Sequence, residues 1–291
     1  MSNYSHATWR LLITYDDHPL SPRERGEGSW VDGATNMAID EAILQSLAQG
    51  QGQPTLRFYQ WQPACLSLGY NQAWSEVNEA ACWAHGYTWT RRATGGKAIF
   101  HTDELTYSLI MPEDDPRIVG GILRSYQVLS LGLLRGLQKL GVEAEQAEKR
   151  EQPRTKADRQ GPVCFDTPGR YEIVWRGKKL VGSAQLRRKK VVLQHGTLPL
   201  HGDLKRILEL LNLSPEEREQ QELLLPQRAT TLEMAIGRVC SFEEIATALA
   251  QGMAEELNLT LETSPLTDHE LNLAAELRAN QYDHETWNKR V

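Results

Sequence analysis

Residues 161–200 read GPVCFDTPGRYEIVWRGKKLVGSAQLRRKKVVLQHGTLPL, and this stretch decides the fold. Positions 171–175 are rich in aromatic and β-branched residues and end in Arg176-Gly177, a turn signal. Positions 179–186 read as a second strand, although Gly182, Ser183 and Ala184 stand where a strand normally carries bulk. Small residues inside a strand mark the close approach of a ligand or another backbone. After the basic turn Arg187, Arg188, Lys189 and Lys190, a third run at 191–200 carries His195-Gly196-Thr197. Three consecutive strands make a meander, which would gather Cys164, Lys179, Gln185 and His195 in one neighbourhood.

Four cysteines show no pairing pattern, so reduced thiols are expected instead of a disulfide framework. A free cysteine is most often a small buried hydrophobe, and that is the expectation for Cys65, Cys82 and Cys240. Cys164 differs because it follows Gly161-Pro162 in a loop before a strand. An ammonium at Lys179 or Lys178 would favour its thiolate, the nucleophilic form. Spacing alone leaves two readings of Cys164 open, a nucleophile and an ordinary loop residue.

Composition narrows the class. The chain has 291 residues, 40% of them hydrophobic and 24% charged, which suits a soluble globular protein of one large domain or two small ones. The longest apolar region, 118–140, is interrupted by Arg124 and Arg135 and is no membrane span. No secretory pattern opens the sequence, so a cytoplasmic location is expected. A net charge of −6 argues against nucleic acid as the main partner. With no CxxC pair and no HExxH, no zinc site is expected.

Ahead of the meander, 9–15 alternate as a first strand, 16–30 are a polar loop, and 34–48 form a helix burying Ile39, Ile43 and Leu47. Positions 56–61 and 64–68 read as a hairpin around Gln62-Pro63, 75–84 as a short helix, and 87–92 as a strand. That strand runs into RRATGGKAIFH at 91–101. Paired glycines let backbone amides approach an anionic or carbonyl group, and the arginines can hold phosphate or carboxylate. The alternative is a Gly95-Gly96 turn flanked by two solvated arginines.

Positions 105–111 read as a strand and 119–140 as a long helix with Leu123, Leu131, Leu134 and Leu137 toward the core. The stretch 144–160 is almost wholly polar and is expected to be a mobile charged loop. Beyond the meander, Ser214…Glu217, Ser241…Glu244 and Thr267…Glu270 have capping-box spacing, and 260–263 can be a strand. This pattern predicts an α+β fold, a mixed and largely antiparallel central sheet flanked by helices. A doubly wound parallel fold is disfavoured, since no G-x-G-x-x-G opens a helix.

Taken in order, RRATGGKAIFH (91–101), GKKLVGSAQ (177–185) and LQHGTLPL (193–200) resemble the biotin/lipoate protein ligase and octanoyltransferase superfamily. NMAIDEAIL in the first helix, SLGYNQ, and the closing Tyr282…Trp287-Asn288 extend the resemblance over nearly the whole chain. It is closest to the LipM-type octanoyltransferases, which carry a cysteine in a P-x-C-F block, here Pro162-Val163-Cys164-Phe165. Gly169 departs from that group, where a serine is more common.

The resemblance implies a single catalytic domain over 1–291 with its core at about 47–262. It implies catalysis by Cys164 and Lys179: octanoyl passes from acyl carrier protein to Cys164, then to a lysine on a lipoyl domain such as that of glycine cleavage H protein. Arg91, Arg92, Gly95, Gly96, His101, Gly182, Ser183, Ala184, Gln185, His195 and Gly196 are the expected substrate-binding set, with His101 and His195 read either as bases or as structural residues. No cofactor is expected, because the phosphopantetheine belongs to the carrier. ATP-dependent lipoate ligases share the lysine and usually lack the cysteine, and a non-catalytic carrier-binding relative is a third reading.

Overall fold

The computed structural model describes residues 4–14, 32–147 and 171–291. Strand β1 (Ala7–Thr14) comes first, and the polar stretch 16–30 lies outside the described residues. Helix α1 (Gly33–Ala48) starts at Asp32, whose carboxylate accepts from the Thr35 amide at 2.8 Å and satisfies one of the donors a helix start leaves open. Ile39 and Ile43 are buried as expected, yet Asn36, Asp40 and Glu41 are buried too, so α1 is a core helix.

The hairpin expected over 56–68 does not form. β2 (Thr55–Tyr59) pairs parallel with β1 on one edge and antiparallel with β6 (Glu104–Pro112) on the other. Both its edges are taken, so β3 (Cys65–Leu68), which follows the cis Gln62–Pro63 bond, belongs to a second sheet. There β3 lies between β4 (Thr88–Arg91), which follows helix α2 (Glu79–Ala84), and β5 (Ile99–His101).

The meander is present. Helix α3 (Ile122–Lys139) leads to β7 (Glu145–Gln146), and β8 (Ile173–Trp175), β9 (Lys178–Arg188) and β10 (Val191–Pro199) follow. Positive φ at Arg176-Gly177 and at Lys189-Lys190 gives the two tight turns, matching the twist of paired strands. β7 replaces the start of the expected charged loop: Ala144 is buried and Glu145-Gln146 pair with β8, while 148–160 lie outside the described residues.

After β10 come α4 (Pro215–Arg228), α5 (Leu232–Ile236), α6 (Phe242–Leu257), β11 (Leu259–Thr263), α7 (Asp268–Leu277) and α8 (Glu285–Asn288). Reciprocal capping boxes form at Ser214/Glu217 and Thr267/Glu270. The large sheet runs β11-β1-β2-β6-β10-β9-β8-β7, parallel only at β11–β1 and β1–β2, so the expected mixed and largely antiparallel sheet is observed.

Helices cover both faces of that sheet. α3 and α6 pack on one face over a core that includes Leu109, Val128, Leu133 and Met253. They touch through glycines, since a methyl group on Gly252 would lie 2.1 Å from the Gly136 nitrogen. Leu123 does not point inward as expected; it is 56% exposed, and Val128, Leu129 and Leu133 form the buried stripe. α1 and α7 cover the other face. No helix among the described residues is long and apolar enough to cross a membrane.

Arg10 on β1 makes a two-pronged ion pair with Glu270 on α7, both contacts at 2.6 Å and both side chains fully buried. Stranding one charge of such a pair costs about 3–5 kcal/mol. Arg10→Met is therefore expected to lower the unfolding free energy in urea by about 3 kcal/mol or more, with Glu270→Leu in the same chain recovering part of the loss.

Candidate active site

The small residues of the meander open a cleft. Gly182, Ser183 and Ala184 on β9 stand opposite Thr197, Gly196 and His195 on β10. A side chain at Gly196 would meet the Gly182 carbonyl at 2.4 Å and Ser183 Oγ at 2.6 Å, so no larger residue fits there. The cleft holds about 400 Å³ of open space between these strands, the α1 residue Met37 and the second sheet. Trp61, Arg92, Ile99 and His101 line its far wall. Met37, Tyr59, Trp61 and Ile99 in its lining suit a ligand with an apolar body.

A bulge decides which lysine shares a strand face with Gly182 and Ala184. Ile173 pairs with Val181, but the next residue, Val174, pairs with Lys179, so β9 carries one extra residue at Leu180. Plain alternation would put Lys179 on the face of Val181, Ser183 and Gln185. The extra residue moves it to the face of Gly182 and Ala184. Lys179 is 2% exposed and its Nζ lies 2.8 Å from Glu172 Oε1. Lys178 diverges, donating to the Pro226 carbonyl at 2.7 Å.

Both histidines line the cleft in buried polar networks. His101 stacks on Trp61 with ring centroids 3.9 Å apart, shares a hydrogen bond with Ser67 Oγ at 2.8 Å, and meets Glu104 at 3.3 Å. Burial pushes its pKa below the usual histidine value despite Glu104, so the ring is neutral at neutral pH. His195 shares a hydrogen bond with Thr94 Oγ1 at 2.5 Å and lies 3.6 Å from Asp40. Asp40 also accepts from Arg57, Tyr59 and Ser108. Burial would raise its pKa, but the neighbouring His195 ring and the Arg57 guanidinium outweigh it and hold the carboxyl below its ordinary value.

Other expected site residues lie elsewhere. Gln185 is on the opposite face from His195, bonded to Ser125 of α3 and to Gln194, so the meander does not gather it into the cleft. Arg91 does not line the cleft; its guanidinium donates to the carbonyls of Gly69, Tyr70, Gln72 and Asn288, locking the C-terminal α8 in place. Arg92 does line it, holding the Gly95–Lys97 turn by donating to Gly95 O and Lys97 O. In the basic turn, Arg187 pairs with Glu113 and Arg188 with Glu41, leaving only Lys189 and Lys190 exposed. Cys164 lies outside the described residues.

Sequence reasoning passed over Asp40, Glu104 and Glu172. The signals were present: an acid inside the apolar helix NMAIDEAIL, one opening the run ELTYSLIM, and one inside YEIVW.

Residues 32–254 match the lipoyl protein ligase A/B catalytic domain family. Octanoyltransferase LipM of Brevibacillus brevis is 42% identical over 287 residues, 97% of this chain and 99% of that protein. The Symbiobacterium thermophilum protein of the same name is 43% identical over 263 residues, covering 89% and 94%. A bi-partite lipoate protein ligase of Thermoplasma acidophilum shares the fold at TM-score 0.77 and 24% identity, over 98% of this chain and 97% of that one. A lipoate-protein ligase A crystallised with ATP superposes at TM-score 0.73 and 26% identity, over 97% and 99%.

The three described cysteines match the expectation of buried hydrophobes. Burial pushes the Cys65 thiol up to about 12 and the Cys82 thiol to about 11, and Cys240 is raised as well. A raised thiol pKa leaves almost no thiolate at neutral pH, and thiolate appears only as pH rises toward that value. Brief iodoacetamide treatment of the folded protein at pH 7 is expected to leave all three unmodified by peptide mapping, with alkylation of all three appearing on denaturation.

Proposed function

The chain belongs to the lipoyl protein ligase A/B catalytic domain family, and on that premise we propose that it is an octanoyltransferase of lipoate biosynthesis working through an acyl-cysteine at Cys164. The observation that carries the reading is a buried lysine, Lys179, on the same strand face as a narrow cleft. The acceptor is a lipoyl domain. The donor is octanoyl-acyl carrier protein, and glycine cleavage H protein is the acceptor type that fits the resemblance.

Each step follows from ordinary thioester chemistry. The Cys164 thiolate attacks the carrier thioester carbonyl, and a carbon–sulfur bond forms as the carbonyl electrons move to oxygen. The Lys179 ammonium stabilises that oxyanion. The oxyanion collapses, the phosphopantetheine thiolate leaves and takes a proton, and octanoyl-Cys164 remains. A neutral acceptor lysine amine then attacks the same carbonyl; Cys164 departs as thiolate, and the new amide nitrogen gives up its extra proton. Thioester exchange is nearly balanced and amide formation runs downhill, so neither step needs ATP. Gly182, Ala184 and Met37 bound the acyl slot, while His101 and His195 hold its walls.

Octanoyl-acyl carrier protein alone is expected to load one octanoyl group onto the enzyme, removable by hydroxylamine and mapped to Cys164. Cys164→Ala should neither load nor transfer, with folding unchanged. Pyrophosphate release from ATP and free octanoate, with full transfer by Cys164→Ala, would instead establish a ligase. One misplaced methylene in an apolar pocket changes selectivity about 10–200-fold. Ala184→Leu, which fills the slot, is accordingly expected to lower kcat/KM for octanoyl at least tenfold while butyryl thioesters lose much less.

A further inference from the structure

We propose that Glu172 is the positioning residue of the catalytic lysine, holding the Lys179 side chain charged and aimed along the cleft face. The inference rests on the reading of Lys179 as catalytic and adds a third member to the cysteine–lysine pair. Glu172 precedes β8, two residues before Val174, and alternation places it on the face that Val174 shares with Lys179. The bulge at Leu180 therefore serves both partners, since without it the carboxylate and the ammonium would stand on opposite faces.

Backbone contacts hold the two ends of the pair. The Glu172 carbonyl accepts from the Ala147 amide at 2.8 Å, and the Tyr171 amide donates to the Ala147 carbonyl at 2.9 Å. The Lys179 carbonyl accepts from the Thr230 amide at 3.0 Å. With both main chains fixed, the 2.8 Å contact between the side chains draws the ammonium toward Glu172. An ammonium has three donors, so anchoring one on Glu172 restricts the directions of the other two.

The charge matters as much as the direction. A lysine buried without a counter-charge tends to lose its proton, and a neutral amine cannot stabilise an oxyanion. Glu172 opposes that loss. Its charge also reaches Tyr107 on β6, whose phenol is pushed up to about 12, chiefly by burial and further by Glu172. Tyr107 remains a neutral hydroxyl, bonded to Ser183 Oγ at 2.6 Å at the cleft edge. Among the described residues, the other charged groups close in sequence and pairing are Lys178, turned to Pro226, the exposed Arg176 at the β8–β9 turn, the exposed Glu145, paired with Val174 on β7, and Arg228, next to the Ala229 that bridges Lys179.

Two readouts test this on the full-length enzyme. The first is single-turnover loading from octanoyl-acyl carrier protein across pH. Glu172→Gln, nearly isosteric, is expected to slow loading at least tenfold with KM for the carrier within about twofold. Its alkaline limb should fall by about one pH unit or more, the usual effect of losing an adjacent opposite charge. Glu172→Asp keeps the charge on a shorter arm, so it should restore the limb with an intermediate rate.

The second readout needs no turnover: the side-chain NMR titration of Lys179, assigned through Lys179→Arg. Its resonance should titrate at lower pH in Glu172→Gln and at the native position in Glu172→Asp. Wild-type loading and an unmoved Lys179 titration in Glu172→Gln would overturn the proposal. Should Glu172→Gln not fold, a wild-type rate in Glu172→Asp would overturn the positioning role. If the unaltered enzyme never loads octanoyl, the functional reading falls, while the Lys179 titration still decides whether Glu172 holds its charge.

Discussion

The single extra residue at Leu180 is the constraint on which the candidate site depends. Side chains in an antiparallel ladder alternate with a period of two, so one inserted residue reverses the facing of everything beyond it. Beyond the bulge lie Lys179, Lys178 and the partners they meet on β8. On the near side, Gly182 and Ala184 line the cleft while Val181 and Gln185 face the α3 side. The bulge thus joins an ammonium to an apolar slot that plain alternation would have left on the other side of the sheet.

The slot keeps its shape because polar side chains fix its walls from both sheets. Asp40 joins α1 to β2, β6 and His195, while Glu104 joins β6 to Thr197 and His101. Buried charges of this kind contribute little net stability, since desolvation offsets much of their attraction. Their observable consequence is geometric: each bond is directional, so Trp61, His101 and His195 are held at set positions where apolar packing alone would tolerate repacking. Arg91 does the same at the C-terminus, gathering carbonyls from Gly69 to Gln72 and from Asn288 around one guanidinium.

Burial also separates the cysteines by chemistry. Burial in apolar surroundings disfavours a thiolate at Cys65 and Cys82, and burial does so at Cys240 as well, although the Arg238–Glu244 ion pair stands beside it. The nucleophile proposed above, Cys164, is the other cysteine of the four in the sequence.

The sequence by itself determined the local elements and the class: α1, the three strands of the meander with their tight turns, the capped helices α4, α6 and α7, and the mixed sheet. These follow from residue periodicity, turn chemistry and capping, which act over a few neighbouring positions. It also marked the slot, because glycine, serine and alanine inside a strand announce a close approach. Only the tertiary structure decided which strand edges were free, sending β3 away from β2 because β1 and β6 had occupied both edges. Only it decided that Arg91 serves the C-terminus, that Gln185 faces α3 and that Lys179 meets Glu172. Those outcomes turn on a bulge and on partners distant along the chain, and neither leaves a trace in local periodicity.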